Sequence, residues 1–141
     1  MANLKPLIRL KTHQLDQKKR ALAALYRERE ALQDSKEKLE QQRARERKAL
    51  EQDNSIDAQV SYMRYAENVK KQIAGLDSKM AKLDERIKVA QDLMRDAFAD
   101  LKRVEIIQER REEEEQAEEK RKEDNELDDI GIDQHRRQQE E

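Results

Sequence analysis

The sequence predicts an all-α protein in which two long helices form an antiparallel coiled-coil hairpin with a charged C-terminal extension. Three observations carry this prediction: a long hydrophobic heptad seam, one break between two periodic stretches, and a strongly charged composition. Of the 141 residues, 45% are charged and 35% are hydrophobic, with two glycines, one proline and four aromatic residues. Such a composition is typical of long helices, because a globular domain needs more aromatic and turn residues.

The strongest heptad seam lies in the second half of the chain. Steps of alternately four and three residues from Tyr62 to Val104 meet only apolar or aromatic side chains. A 3.5-residue period held over this length indicates a coiled coil. Its positions are Tyr62, Ala66, Val69, Ile73, Leu76, Met80, Leu83, Ile87, Ala90, Met94, Ala97, Leu101 and Val104.

The first helix, predicted over about residues 4–52, carries a weaker seam. Its interruptions are nearly all basic residues, whose aliphatic stems can cover apolar surface while the charge stays in water. They form either a solvated edge or a basic stripe for an acidic partner. The seam positions are Leu4, Ile8, Lys11, Leu15, Lys18, Leu22, Leu25, Arg29, Leu32, Lys36, Leu39, Arg43, Glu46 and Leu50.

A bend is predicted at residues 53–55, where Asp53, Asn54 and Ser55 form a cluster of capping and turn residues. Asn54 or Ser55 can accept a hydrogen bond from the free amides that open a second helix, predicted over about 56–123. Antiparallel pairing is satisfied if the numbers of facing residues sum to about 112, which sets Leu25 opposite Ile87.

The domain organisation follows from these elements. Residues 1–123 are predicted to form one antiparallel two-helix coiled coil, and residues 124–141 a flexible tail with a short apolar motif. That motif consists of Leu127, Ile130 and Ile132. A charged tail has no internal reason to keep three large aliphatic residues close together, so the motif is a candidate docking element that orders on binding.

Several function classes are not expected. The net charge of −2 gives no basic field for nucleic acid. The chain has no cysteine, and His13 and His135 lie far apart, so no metal site is expected. No phosphate-binding loop or nucleophile motif is present, and we expect neither an enzyme nor a cofactor. No apolar run approaches a membrane span and no secretory signal opens the chain, so a cytoplasmic location is expected.

A group of large side chains beside the bend is the second candidate for partner binding. Tyr62, Met63 and Tyr65 fall within four residues, and only Tyr62 lies on the seam. They form either a small cap on the end of the hairpin or a docking patch, since exposed aromatic and Met side chains are favoured interface anchors.

One alternative architecture remains open from the residues alone. The same seams could form a long parallel homodimer that serves as a structural scaffold, with residues 53–55 as a local irregularity. The weak first seam disfavours it, since a parallel dimer would stack Lys36 on Lys36 and Arg43 on Arg43.

Three segments resemble a known family: MANLKPLIRLKTHQLDQKKRALAALYREREAL, NSIDAQVSYMRYAENVKKQIAGLD and ELDDIGIDQHRR. Together they resemble the FliJ family of the bacterial flagellar type III export apparatus. The resemblance implies a small cytoplasmic coiled coil, similar to the central stalk of rotary ATPases. It would insert into the export ATPase hexamer, promote ring assembly and activity, contact the cytoplasmic domain of the export gate, and escort export chaperones. Its association with the membrane would be peripheral, through these protein partners.

The resemblance also implies where the gate contact lies, on the exposed face of the second helix soon after the bend. In this chain that face carries small or polar side chains: Asn68, Gln72, Gly75 and Lys79.

Overall fold

The computed structural model describes residues 3–140, which form two helices joined by a short bend. Helix α1 spans Lys5–Leu50 and helix α2 spans Ile56–Glu140, and no strand occurs in this range. The helices run antiparallel and pack against each other, so the predicted all-α hairpin is confirmed. Met1, Ala2 and Glu141, which belong to the two predicted domains, lie outside the described residues.

The bend is built from local hydrogen bonds that the sequence indicates in outline. Helix α1 ends at Leu50, slightly before the predicted end, and the turn at Glu51 and Gln52 follows. The Asp53 carboxylate accepts from the Ser55 N–H at 3.1 Å, and the Ser55 hydroxyl accepts from the Ala58 N–H at 3.2 Å. Ser55 is therefore the N-cap of α2, as one of the two predicted capping residues.

Both predicted seams lie on the packed faces of the helices. All thirteen α2 positions are buried or half-buried, as are the α1 positions except Lys18 and Glu46. Each buried hydrophobic side chain among the described residues belongs to one of the seams: Leu15, Leu22, Val69, Met80, Leu83, Ile87 and Leu101. Burial of these apolar side chains supplies the main favourable term of the fold.

The chain divides into two compact units. The bend unit is Gln14–Ala97, and the terminal unit combines Met1–His13 with Phe98–Glu141. In the bend unit, Leu22, Leu83 and Ile87 form a buried cluster. Half-buried apolar side chains from both helices surround this cluster: Leu25, Leu32, Ala90 and Met94.

In the terminal unit the heptad continues beyond the apolar seam as polar residues. Gln108, Arg111 and Glu115 are half-buried at the next heptad positions of α2. The Gln108 side-chain oxygen accepts from the Leu4 N–H at 3.1 Å, which ties the start of α1 to α2. A glutamine thus satisfies one of the amides that no helical carbonyl can reach.

The end of α2 differs from the prediction. The second helix was expected to end near residue 123, but α2 continues to Glu140. Strong helix formers and pairs such as Glu118 and Lys122, whose charged atoms lie 3.8 Å apart, favour helix without tertiary packing. Every described residue from 116 onward is exposed, and the flexibility of this segment stays a prediction.

The parallel homodimer is wrong for this fold. Helices α1 and α2 of one chain pair antiparallel across residues 51–55, which form a true reversal of the chain. Two ion pairs between the helices, Arg29–Asp84 and Lys36–Asp77, hold this direction.

Candidate interaction surfaces

Two of the three large side chains beside the bend pack together. Tyr62 and Tyr65 are half-buried, with ring centroids 6.5 Å apart, and both line a surface cavity of about 450 Å³ beside Leu50. The Tyr65 hydroxyl oxygen is buried and has no hydrogen-bond partner within residues 3–140. Met63, in contrast, is 68% exposed. The tyrosines therefore take part in hairpin packing, while Met63 is available to a partner.

An exposed apolar stripe begins α2. Ile56, Val60 and Met63 are exposed and occur at the spacing that brings side chains to one helix face. Sequence reasoning missed Ile56 and Val60, because it followed the seam. Their spacing from Met63 was the signal that would have found them.

The two polar candidates near the bend lie on the outside of the hairpin. Asn68 and Gln72 are exposed, and Gln72 lines a shallow groove with Gly75, Leu76 and Lys79. No atom lies within 4 Å of the position that a Gly75 Cβ would occupy, so this glycine is a surface residue and does not serve a close helix approach. The groove has an apolar floor and a polar rim.

The apolar motif in the C-terminal part of α2 does not form one face. Leu127, Ile130 and Ile132 are exposed by 64%, 53% and 55%. Residues three apart share a helix face, whereas residues two apart do not. Leu127 and Ile130 therefore form a pair, and Ile132 points elsewhere.

The terminal unit also carries exposed apolar side chains that sequence reasoning did not single out. They lie off the seams, where isolated exposed apolar residues are common and need no explanation. They are Leu7, Leu10, Phe98, Ile106 and Ile107.

Two basic residues of the α1 seam form partly exposed ion pairs with acidic residues of α2. The Arg29 Nε donates to the Asp84 carboxylate at 2.6 Å, and the Lys36 Nζ lies 2.8 Å from the Asp77 carboxylate. The hydrogen bond to Asp84 raises the pKa of Arg29, and the hydrogen bond to Asp77 raises the pKa of Lys36 against a smaller opposing effect of desolvation. These residues are neither a merely solvated edge nor a free stripe.

Sequence reasoning named the basic partners of these pairs and missed the acidic ones. Asp77 and Asp84 lie just beside the α2 seam, seven residues apart, in step with the seven residues between Arg29 and Lys36. The equal spacing was a usable signal, because antiparallel helices of equal period repeat their contacts every heptad.

Metal-ligating side chains are not clustered among the described residues. Between residues 3 and 140, no group of three or more His, Cys, Asp or Glu side chains is placed to hold a metal ion. His13 is exposed, and the His135 ring lies 3.2 Å from the Gln139 amide nitrogen. In the same range, no helix is long and apolar enough to cross a membrane.

Two long helices that pack through apolar heptad seams define a coiled-coil hairpin protein. The family model described as flagellar FliJ protein matches residues 1–140, and the chain belongs to this family. Family membership makes it a component of the flagellar export apparatus that interacts with other components of that apparatus. Comparisons with curated proteins and with solved structures returned no match.

Proposed function

We propose that the protein is a non-enzymatic stalk and chaperone-escort component of the flagellar type III export apparatus. It binds the export ATPase hexamer, promotes assembly and activity of that ring, and links it to the cytoplasmic domain of the export gate. It works in the cytoplasm, peripheral to the inner membrane through these protein partners. The observation that carries the proposal is the family match over residues 1–140.

The distribution of side chains supports this role physically. The buried apolar residues lie in the seam, and the exterior carries mixed charge, including i,i+3 pairs such as Lys102–Glu105 and Arg103–Asp100. Such pairs add little stability but keep the surface soluble and without a large field of one sign. A helix pair of this kind can bias the assembly of a ring without chemistry of its own.

The partner contacts are proposed at two places on α2. The first, soon after the bend, consists of Tyr62, Met63, Tyr65, Asn68 and Gln72, and it faces the export gate. The exposed fraction of Met63 makes it the strongest anchor of this group. The polar Asn68 and Gln72 supply hydrogen bonds at its edge.

The second place is the C-terminal apolar motif of Leu127, Ile130 and Ile132, a docking element for another export component. If the segment binds as a helix, Leu127 and Ile130 contact the partner together and Ile132 does not. Leu127→Asp then weakens binding strongly, while Ile132→Asp has little effect. Equal losses from both substitutions would instead indicate an extended bound form.

The experiment that tests the proposed function is an ATPase assay with purified components. The protein alone is expected to hydrolyse no ATP, and its addition to the purified export ATPase is expected to raise the hydrolysis rate and the fraction of assembled rings. Static light scattering reports ring assembly in the same samples. An unchanged rate together with unchanged assembly would rule the proposal out.

A further inference from the structure

The two ion pairs between the helices form a regular series that breaks toward the bend. Arg29–Asp84 and Lys36–Asp77 are separated by seven residues on each helix, and we refer to them as the first and second rungs. One more heptad toward the bend brings Arg43 and Lys70 to the equivalent positions. The third rung therefore carries a cation on both helices, where the first two carry a cation and a carboxylate.

The third rung lies in a groove between α1 and α2 with cations on both walls. Arg43, Arg47 and Lys70 line it, and none of these three has an ion-pair partner within 4 Å among residues 3–140. Met63 lines the same groove and is largely exposed. Two carboxylates, Glu40 and Glu67, are also part of the lining.

These features favour a particular kind of ligand. Like charges facing each other across two helices are destabilising, and an inserted carboxylate removes the repulsion while gaining charge-assisted hydrogen bonds. Three cations and two glutamates give the lining a net charge of +1, which one carboxylate neutralises and which a polyphosphate or a charged lipid surface exceeds. An exposed Met63 beside the cations offers an apolar contact, as a protein segment requires.

We propose that a partner completes the third rung: an acidic protein segment inserts one Asp or Glu carboxylate between Arg43 and Lys70 and packs an apolar side chain on Met63. The proposal rests on the proposed function, because the partner is another component of the export apparatus. It adds the chemistry by which this groove recognises that partner. Electrostatic attraction of this kind raises the association rate and fixes the orientation of docking.

The test is to supply the missing carboxylate within the chain. Lys70→Asp restores the pattern of the first two rungs, so it should raise the melting temperature of the protein and occupy the groove. Binding to the purified export ATPase and to the cytoplasmic domain of the export gate is measured separately by titration calorimetry. At least one of the two is expected to bind Lys70→Asp about tenfold more weakly than the wild-type protein.

The matched control is Lys71→Asp, which makes the same charge change at an exposed neighbour outside the groove. It should leave the affinity unchanged and should not raise the melting temperature. Equal weakening by both variants would overturn the proposal in favour of a general charge effect. Unchanged binding by Lys70→Asp would also overturn it, while the wild-type protein still raising the ATPase rate would leave the proposed function intact.

A vesicle assay separates the proposed ligand from a membrane. Wild-type protein is not expected to sediment with vesicles of phosphatidylserine and phosphatidylcholine. If it does, and Lys70→Asp abolishes sedimentation without changing protein binding, the groove binds a lipid headgroup and the proposal is wrong.

Discussion

The two seams of the hairpin differ in what they contribute. The α2 seam from Tyr62 to Val104 is apolar throughout and holds five of the seven buried side chains among residues 3–140. The α1 seam holds the other two, Leu15 and Leu22, and is interrupted by basic residues. Burial of apolar side chains stabilises helix packing with little dependence on helix direction, whereas an ion pair forms only where opposite charges meet. The α2 seam thus contributes most of the stabilising apolar burial, and the basic residues of the α1 seam favour the antiparallel direction.

The first two rungs explain how direction is encoded. Arg29 and Lys36 occupy the α1 seam, and their partners Asp84 and Asp77 lie beside the α2 seam. A shift by one heptad toward the bend would bring Lys36 opposite Lys70, and a parallel arrangement would bring like residues together. Both arrangements place cations against cations, which disfavours them relative to the observed fold. A one-heptad shift in the other direction would set Lys36 opposite Asp84 and Arg43 opposite Asp77, so packing of the apolar seams must also contribute to the register.

The largest effect is expected from the apolar seam of α2. Leu83 is 3% exposed and belongs to the buried cluster of the bend unit. Leu83→Ala should lower the free energy of unfolding by about 2–4 kcal/mol, because it removes buried methyl groups and leaves a cavity. Urea unfolding followed by far-UV circular dichroism measures the change.

The matched substitution on α1 sharpens the comparison of the two seams. Leu32 packs on the same cluster but is only half-buried, so Leu32→Ala should cost about 1–2 kcal/mol. Val89→Ala, at an exposed position, serves as the control and should change stability by less than about 0.5 kcal/mol. A larger loss from Leu32→Ala than from Leu83→Ala would contradict the division of roles between the seams.

The second prediction concerns a variant that loses both ion pairs between the helices and gains apolar residues in the α1 seam. Replacing both Arg29 and Lys36 by leucine makes the middle of the α1 seam apolar and removes the ion pairs of the first two rungs. The variant should form dimers or larger species more readily than the wild-type protein, because polar seam residues specify partner and register at a cost in stability. Size-exclusion chromatography with light scattering reports the mass. A variant that keeps the mass and the unfolding midpoint of the wild-type protein would show that the rungs specify nothing.

The third prediction isolates one rung by charge exchange. Asp84→Arg places two cations at the first rung and should lower the melting temperature. Arg29→Asp combined with Asp84→Arg restores an ion pair of reversed polarity and should recover part of the loss. The double-mutant cycle gives the coupling between the two side chains. If the losses of the two single variants simply add in the double variant, Arg29 and Asp84 do not interact in solution.

Much of this fold could be predicted from the sequence, since apolar residues at a 3.5-residue period leave one face to bury. The N-cap at Ser55 could also be predicted, because capping residues cluster at the bend, between the two long periodic stretches. The ion pairs of Arg29 and Lys36 could not be predicted from these two residues alone. It depends on Asp77 and Asp84, which lie about fifty residues away and become neighbours only in the correct register.

The candidate docking residues were harder to predict, because exposure depends on which helix face is left over after packing. Tyr65 flanks the seam in the sequence, yet its hydroxyl is buried against the bend, while Ile56 lies six residues from the seam and is 78% exposed. The end of α2 was misplaced for a related reason. Helix propensity and local ion pairs suffice to continue α2 where it no longer packs against α1. No glycine or proline follows residue 115 closely enough to end the helix there.

The smallest expected effect is the pH dependence of the second rung. The pKa of Lys36 is raised above its ordinary value of 10.5 by its hydrogen bond to Asp77. The charged form is therefore favoured in the folded state. The stabilisation by the ion pair between Lys36 and Asp77 is fully present below about pH 10.5, and it is lost as the pH rises through the higher pKa that Lys36 has in the folded protein.

The measurement is the melting temperature of wild-type and Lys36→Met protein across this alkaline range. Only the difference between the two curves reports the second rung, because all other side chains are the same in both proteins. The difference should be constant at neutral pH and shrink above about pH 10.5. Lys38→Met, which removes an exposed lysine outside the two rungs, is the control for loss of one positive charge from α1. A Lys36 difference that stays constant above about pH 10.5 would mean that the ion pair with Asp77 does not stabilise the folded protein, and that the first rung alone favours the antiparallel direction.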